Sequence, residues 1–171
     1  MSIHDLINDA VNRGRLFYLP PKYSIYAVKR SIFITREIKD LLEGYEADHQ
    51  WKIRGEELRA DLDKFTCGRP IVATFAPKRE RSVLWKRLLK SSEEIWEVRS
   101  HSEPALRVFG RFAEKDSFIA VTWALREHLD EDSEWNRCKQ IVKCEWRNLF
   151  FANEPFSGDH PNDYISNARS I

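Results

Sequence analysis

Three short runs of strand-forming residues follow one another in the second half of the chain. They cover residues 95–99, 105–112 and 118–124, and they are rich in β-branched, aromatic and other apolar side chains. The turn-forming segments HSEP (101–104) and EKD (114–116) separate them. Because separations of this length suit hairpins between antiparallel strands, the pattern predicts a β-meander.

Alternation within these runs separates an apolar face from a basic face. Side chains along a strand point to opposite faces in turn, so Leu106 and Val108 share one face, whereas Arg107 and Arg111 share the other. In the first run, the same alternation sets Arg99 apart from the apolar positions. Three arginines are therefore predicted to gather on one face of the sheet.

Two helices and two further strands are predicted before the meander. The β-branched residues at 31–35 favour a first strand, and residues 71–75 favour a short extra strand. Apolar residues recur at helical spacing over 36–45 and again from 48 to 65, and Gly68 and Pro70 close that segment. The two helical segments predict a hairpin that covers one face of the sheet. Residues 83–89 are interpreted as a helical turn or an irregular segment, with Trp85 in the core.

The ends of the chain are predicted to add accessory elements. Ser2 is a suitable cap for a short helix that ends near Gly14, and Asp132 or Ser133 is a suitable cap for a final helix. The predicted division is an N-terminal accessory helix and arm (1–30), a main domain (31–152) and a polar, mobile C-terminal tail (153–171). The predicted fold class is α+β: an antiparallel meander sheet of about four strands with a two-helix hairpin on one face and a C-terminal helix.

Composition agrees with a folded, non-membrane chain. Its 171 residues are 42% hydrophobic and 12% aromatic, enough to bury a core. No apolar run is long enough to span a bilayer, and the N-terminus lacks the basic start and apolar centre of a signal peptide. We therefore expect a cytoplasmic protein without membrane contact. The odd number of cysteines, Cys67, Cys138 and Cys144, without paired spacing predicts reduced, structural thiols.

Basic residues concentrate immediately before the meander, although the net charge of the chain is only +1. Residues 67–92 contain seven basic side chains and one acidic side chain. Clustered Lys and Arg gain free energy at a polyanion through counterion release, so the segment favours phosphate binding. A solvated loop with the same composition is the alternative.

Most enzyme classes lack the residues that their chemistry needs. The five histidines are scattered, and none has a partner at the i, i+4 spacing of a helical metal site. The sequence contains no glycine-rich phosphate loop, no Gly-x-Ser-x-Gly elbow and no dinucleotide-binding fingerprint. It therefore predicts neither a metal nor a cofactor.

Two segments of the meander carry a family resemblance. IWEVRS (95–100) and ALRVFGRF (105–112), followed by an apolar strand that ends in LREH (125–128), resemble the RelE/ParE superfamily of bacterial toxins. The resemblance is to the HigB-like, phage-derived branch and covers about residues 31–150. It implies the toxin of a type II toxin–antitoxin system, with a cognate antitoxin protein as partner. The implied activity is metal-independent endoribonuclease cleavage of mRNA at the ribosome.

The resemblance also implies site residues. Arg107 matches the strand arginine that such toxins direct at the scissile phosphate, and Arg126 and His128 fall near the basic end of the last strand. Since RNA supplies its own 2′-hydroxyl nucleophile, the protein needs cations for the phosphate and groups that move protons. The catalytic candidates are Arg107, Arg126, His128 and Arg99. The RNA-binding candidates are Lys78, Arg79, Arg81, Lys86, Arg87 and Arg111.

Other interpretations remain open for these residues and for the function. Glu97 stands where some members of the family have a lysine. The alternative role of Arg99 and Arg107 is structural, in salt bridges. The alternative for His128 is that it is an ordinary surface residue. The alternative functions are a ParE-like, non-catalytic inhibitor of DNA gyrase and a non-enzymatic interaction module.

Overall fold

The computed structural model describes residues 1–23, 25–44, 49–75, 84–88, 90–130 and 132–170. Within these residues the chain forms five α-helices and eight β-strands. The helices are α1 (Ile3–Asn12), α2 (Arg36–Glu43), α3 (His49–Thr66), α4 (Asp132–Phe150) and α5 (Pro161–Tyr164). The strands are β1 (Phe17–Tyr18), β2 (Ser31–Ile34), β3 (Ile71–Thr74), β4 (Trp85–Arg87), β5 (Trp96–Arg99), β6 (Leu106–Glu114), β7 (Ser117–Leu125) and β8 (Ala168–Ser170).

All eight strands belong to one sheet, in the order β1-β2-β7-β6-β5-β4-β3-β8. Strands β5, β6 and β7 are antiparallel neighbours, whereas β2 runs parallel to β7, and β3 runs parallel to both β4 and β8. The predicted fold of about four antiparallel strands with a helical hairpin and a C-terminal helix is therefore wrong. The described fold is α+β with a mixed, eight-stranded sheet and five helices.

The local sequence pattern does not predict how the additional strands join the sheet, and the reasons are physical. Strand β2 enters the sheet beside β7, with Ser31 opposite Ser117, and parallel neighbours of this kind need a long crossover between them. Strands β1 and β8 have two and three residues, too few to show a period of two. Strand β4 lies at the predicted helical turn, which corrects that interpretation.

The sheet has a hydrophobic core on each face. One core lies against α2, α3 and the C-terminal residues, and the other lies against α1 and α4. The first contains Ile38, Leu62, Phe65, Trp85, Trp96, Val98, Phe112 and Tyr164. The second contains Ile7, Ala10, Phe109, Ile119, Cys138, Val142, Trp146 and Phe150. Because both faces are covered, β6 and β7 are buried along most of their length. The core position predicted for Trp85 is confirmed.

The C-terminal residues, predicted to form a polar tail, pack onto the first core. Tyr164 at the end of α5 is fully buried, and its hydroxyl donates to a Glu94 carboxylate oxygen at 2.5 Å. Burial raises the pKa of Tyr164 to about 12. The buried Arg30 donates to the carbonyl oxygens of Phe65 and Ser166, so it joins this segment to the end of α3.

Candidate phosphate-binding site

One face of strands β4, β5 and β6 brings three basic side chains around one carboxylate. Lys86 lies opposite Glu97 across β4 and β5, and Arg99 lies opposite Arg107 across β5 and β6. Glu97 and Arg99 are two residues apart on one strand, so the four side chains share one face of the sheet. Neighbouring strands are separated by only about 5 Å. We call Lys86, Glu97, Arg99 and Arg107 the basic cluster.

Glu97 lies at the centre of the basic cluster and is 1% exposed. Its Oε1 accepts a hydrogen bond from Arg99 Nε at 2.7 Å, and Arg99 Nη2 is 2.5 Å from the same oxygen. The other oxygen, Oε2, is 3.7 Å from Arg107 Nε and has no hydrogen-bond partner among the described residues. One buried carboxylate is therefore hydrogen-bonded to Arg99 and forms a longer ion pair with Arg107.

Arg107 is largely shielded from water, since its side chain is 12% exposed. Its Nη1 donates to the carbonyl oxygens of Leu106 at 2.9 Å and Ser100 at 3.2 Å. Burial lowers the pKa of Arg107; Glu97 acts against this shift, while the positive charges of Arg99 and Arg126 add to it. The guanidinium charge of Arg107 is therefore largely shielded from water and lies close to the positive charges of Arg99 and Arg126.

Lys86 adds a third cation under similar conditions. It is half-buried, and burial lowers the pKa of its amine, with Glu97 opposing the shift and Arg99 adding to it. The basic cluster therefore has three positive charges against one negative charge. An anionic ligand such as a phosphate would relieve this imbalance, and it would interact strongly because little water screens the site.

The end of β7 lies beside the basic cluster. The backbone N–H of Arg126 donates to the Ala105 carbonyl oxygen at 2.8 Å, and its guanidinium pairs with Asp130 at 2.6 Å. Two residues on, His128 is 61% exposed, with Nε2 at 3.7 Å from Glu127 Oε1. Three of the four catalytic candidates, Arg99, Arg107 and Arg126, therefore come together, whereas the exposed His128 has no described contact with the basic cluster.

Two of the RNA-binding candidates are engaged elsewhere in the structure. Arg87 stacks on Phe75, with its guanidinium carbon 3.5 Å from the ring centroid, and it donates to the Tyr164 hydroxyl at 3.0 Å. Arg111 donates to the Glu93 carbonyl oxygen at 2.7 Å and lies over a tryptophan ring of α4. The expected group of three arginines therefore contains Arg99 and Arg107 only. Lys78, Arg79 and Arg81 lie outside the described residues.

The sequence was interpreted without a role for Glu97 at the site. The signal that identifies its role was available, because alternation along residues 95–99 puts Glu97 on the same face as Arg99. A carboxylate between basic residues on a predicted sheet is a candidate partner for them. Its burial could not be predicted, because burial depends on the packing of the whole sheet.

The described residues contain no group of three or more His, Cys, Asp or Glu side chains that could hold a metal ion. Over the same residues, no helix is long and apolar enough to cross a membrane. Comparisons of the chain with protein-family models, with curated proteins and with solved structures found no significant match.

Proposed function

We propose that this chain is an endoribonuclease that cleaves RNA at the basic cluster without a metal ion. The observation that carries the proposal is the set of three cations around one buried carboxylate, on adjacent strands and with little access to water. The resemblance of WEVR and RVF to RelE/ParE toxins supplies the biological role: the toxin of a type II pair. The proposed substrate is mRNA at cytoplasmic ribosomes, and the proposed partner is a cognate antitoxin.

The proposed reaction uses the 2′-hydroxyl of the RNA as the nucleophile. The 2′-oxygen forms a bond to the adjacent phosphorus, and the bond from phosphorus to the 5′-oxygen of the next nucleotide breaks. A base takes the 2′-hydroxyl proton, and an acid gives a proton to the departing 5′-oxygen. The products are a 2′,3′-cyclic phosphate and a 5′-hydroxyl. Lys86, Arg99 and Arg107 would stabilise the charge that grows on the non-bridging phosphate oxygens.

Glu97 is proposed as a positioning residue rather than a catalytic residue. Its carboxylate is buried and bonded to Arg99, so it orients the guanidinium groups without reaching the substrate itself. A guanidinium group has a planar fork that matches two phosphate oxygens, which makes this orientation useful. His128 is the proposed proton-transfer residue, because it is exposed two residues after Arg126 and histidine is the commonest general acid or base.

A non-enzymatic interaction module is the second candidate. Arg99 and Arg107 are already bonded to protein groups, as the structural alternative for both residues requires. The cluster would then bind an anionic partner without chemistry. A ParE-like inhibitor of DNA gyrase is one example of this class.

The test is incubation of the purified chain with end-labelled, single-stranded RNA, with and without translating ribosomes; the reactions without ribosomes also contain a metal chelator. We expect fragments that end in a 2′,3′-cyclic phosphate. The matched control is the same oligonucleotide with 2′-deoxy sugars, which should remain intact because it has no nucleophile. If the RNA stays intact under every condition, the ribonuclease proposal fails, and inhibition of gyrase supercoiling would then favour the second candidate.

A further inference from the structure

The segment between α1 and α2 carries charges of one sign only. From Arg13 to Thr35 the chain has five basic residues and no acidic residue. None of these residues belongs to the basic cluster, and the proposed chemistry uses none of them. A continuous positive segment of this kind attracts a polyanion.

Some of these charges are neutralised by the protein and others are not. Three arginines have carboxylate partners: Arg13 with Asp9 at 2.9 Å, Arg15 with Glu145 at 3.7 Å and Arg30 with Asp116 at 3.4 Å. Lys22 and Lys29 are exposed, and within the described part of the chain neither forms an ion pair. The uncompensated charge is therefore concentrated in residues 20–29.

Two tyrosines lie exposed between these lysines. Tyr23 is 56% exposed and Tyr26 is 40% exposed, although large aromatic side chains are mostly buried in folded proteins. Their ring centroids are 6.1 Å apart with an interplanar angle of 77°, and Lys22 Nζ is 5.9 Å from the Tyr23 centroid. Exposed aromatic rings beside cations are the combination with which proteins bind single-stranded nucleic acids.

The segment is anchored to α3 by its backbone. The Lys22 N–H donates to the Asp63 carboxylate at 3.2 Å, and the Lys29 N–H donates to the Thr66 carbonyl oxygen at 2.9 Å. Arg59 of α3 also donates to the carbonyl oxygen of Pro20. The rings are thus presented on a held backbone, which reduces the entropy lost when a ligand binds.

We propose that Lys22, Tyr23, Tyr26 and Lys29 form a second binding surface for single-stranded RNA. Tyr23 and Tyr26 would stack on bases, and Lys22 and Lys29 would contact the phosphates. The inference rests on the proposed function in one respect, namely that the polyanion is the RNA that the basic cluster cleaves. The complete absence of carboxylates from residues 13–35 favours RNA over a protein partner.

The test measures the affinity of the full chain for single-stranded RNA made uncleavable by 2′-deoxy substitution. Stacking on one aromatic ring is worth about five- to 150-fold in affinity, so Tyr23→Ala with Tyr26→Ala should raise the Kd at least about tenfold. Lys22→Gln with Lys29→Gln should lower the slope of log affinity against log salt by about 0.7 per lost contact. The matched controls are Phe151→Ala, which removes a ring that is 86% exposed, and Lys115→Gln in the turn between β6 and β7. Both controls should bind as the unmodified chain does.

The outcomes separate this inference from the proposed function. An unchanged Kd in the double tyrosine variant, with an unchanged melting temperature, would overturn the inference even if the chain cleaves RNA. Tyrosine-dependent binding without any cleavage would support the inference and overturn the ribonuclease proposal. If the tyrosine variant keeps its RNA affinity but loses an antitoxin that copurifies with the chain, the surface belongs to a protein partner and the inference fails.

Discussion

Replacement of Arg107 by methionine is expected to lower the rate of RNA cleavage by about 10²–10³-fold, the usual cost of removing one group that stabilises transition-state charge. Methionine is shorter than arginine but keeps an unbranched apolar stem, which matters because Arg107 is only 12% exposed. The variant therefore removes the charge with little change in packing. The measurement is single-turnover cleavage of labelled RNA, with the melting temperature as the check on folding.

Two matched variants make the result for Arg107 interpretable. Arg107→Lys keeps the positive charge but loses the planar fork, so its cleavage rate should fall between those of the unmodified chain and Arg107→Met. Lys115→Met removes an exposed cation beyond the opposite end of β6 and should cleave normally. Full activity in Arg107→Met would assign Arg107 a structural role and remove the main support for the ribonuclease proposal.

Replacement of Trp96 by alanine is expected to lower the free energy of unfolding by about 3–5 kcal/mol. Trp96 is fully buried, and its ring lies 5.2 Å from Phe112 and 4.9 Å from Tyr164, measured between centroids. Alanine would leave a cavity where the sheet meets the C-terminal residues. Urea unfolding followed by circular dichroism measures the loss.

Trp96→Phe is the matched control for this cavity. The Trp96 Nε1 is buried and has no hydrogen-bond partner among the described residues, so phenylalanine keeps a ring in the core while removing an unsatisfied donor. We expect a much smaller loss of stability than with alanine. Equal losses in the two variants would show that the ring does not fill the core in the way described.

The local pattern of the sequence was sufficient to predict the three strands in the middle of the sheet. Strands β5, β6 and β7 begin and end within two residues of the runs predicted at 95–99, 105–112 and 118–124. Each run shows strand-forming residues bounded by a turn, and both signals lie within about ten residues. Strands β2 and β3 were predicted on the same basis.

The order of the strands could not be predicted in this way. Ser31 lies beside Ser117, and Ile71 lies beside Ala168, so both pairings join distant parts of the chain. Nothing in the local sequence of either partner specifies such a neighbour, because parallel pairing leaves no turn between the strands. The four-stranded antiparallel prediction failed for this reason.

In the candidate site, too, the local pattern predicts the contacts that a hairpin sets but not those that depend on distant packing. Arg99 and Arg107 face each other as alternation predicts, because a hairpin sets their relationship. Arg111 has the same alternation but lies under α4, where it donates to Glu93, and no pattern within β6 predicts that cover. The burial of Glu97 likewise depends on packing across three strands.

The basic cluster is proposed to contact an RNA phosphate, and the salt dependence of binding tests this contact. Affinity for an uncleavable, 2′-deoxy-substituted RNA should be measured over a range of salt concentrations for the unmodified chain, Arg107→Met and Lys115→Met. If Arg107 contacts a phosphate, its loss should reduce the slope of log affinity against log salt by about 0.7, the value for one contact on a single strand. Lys115→Met should keep the original slope. Identical slopes for the unmodified chain and Arg107→Met would contradict the proposed contact.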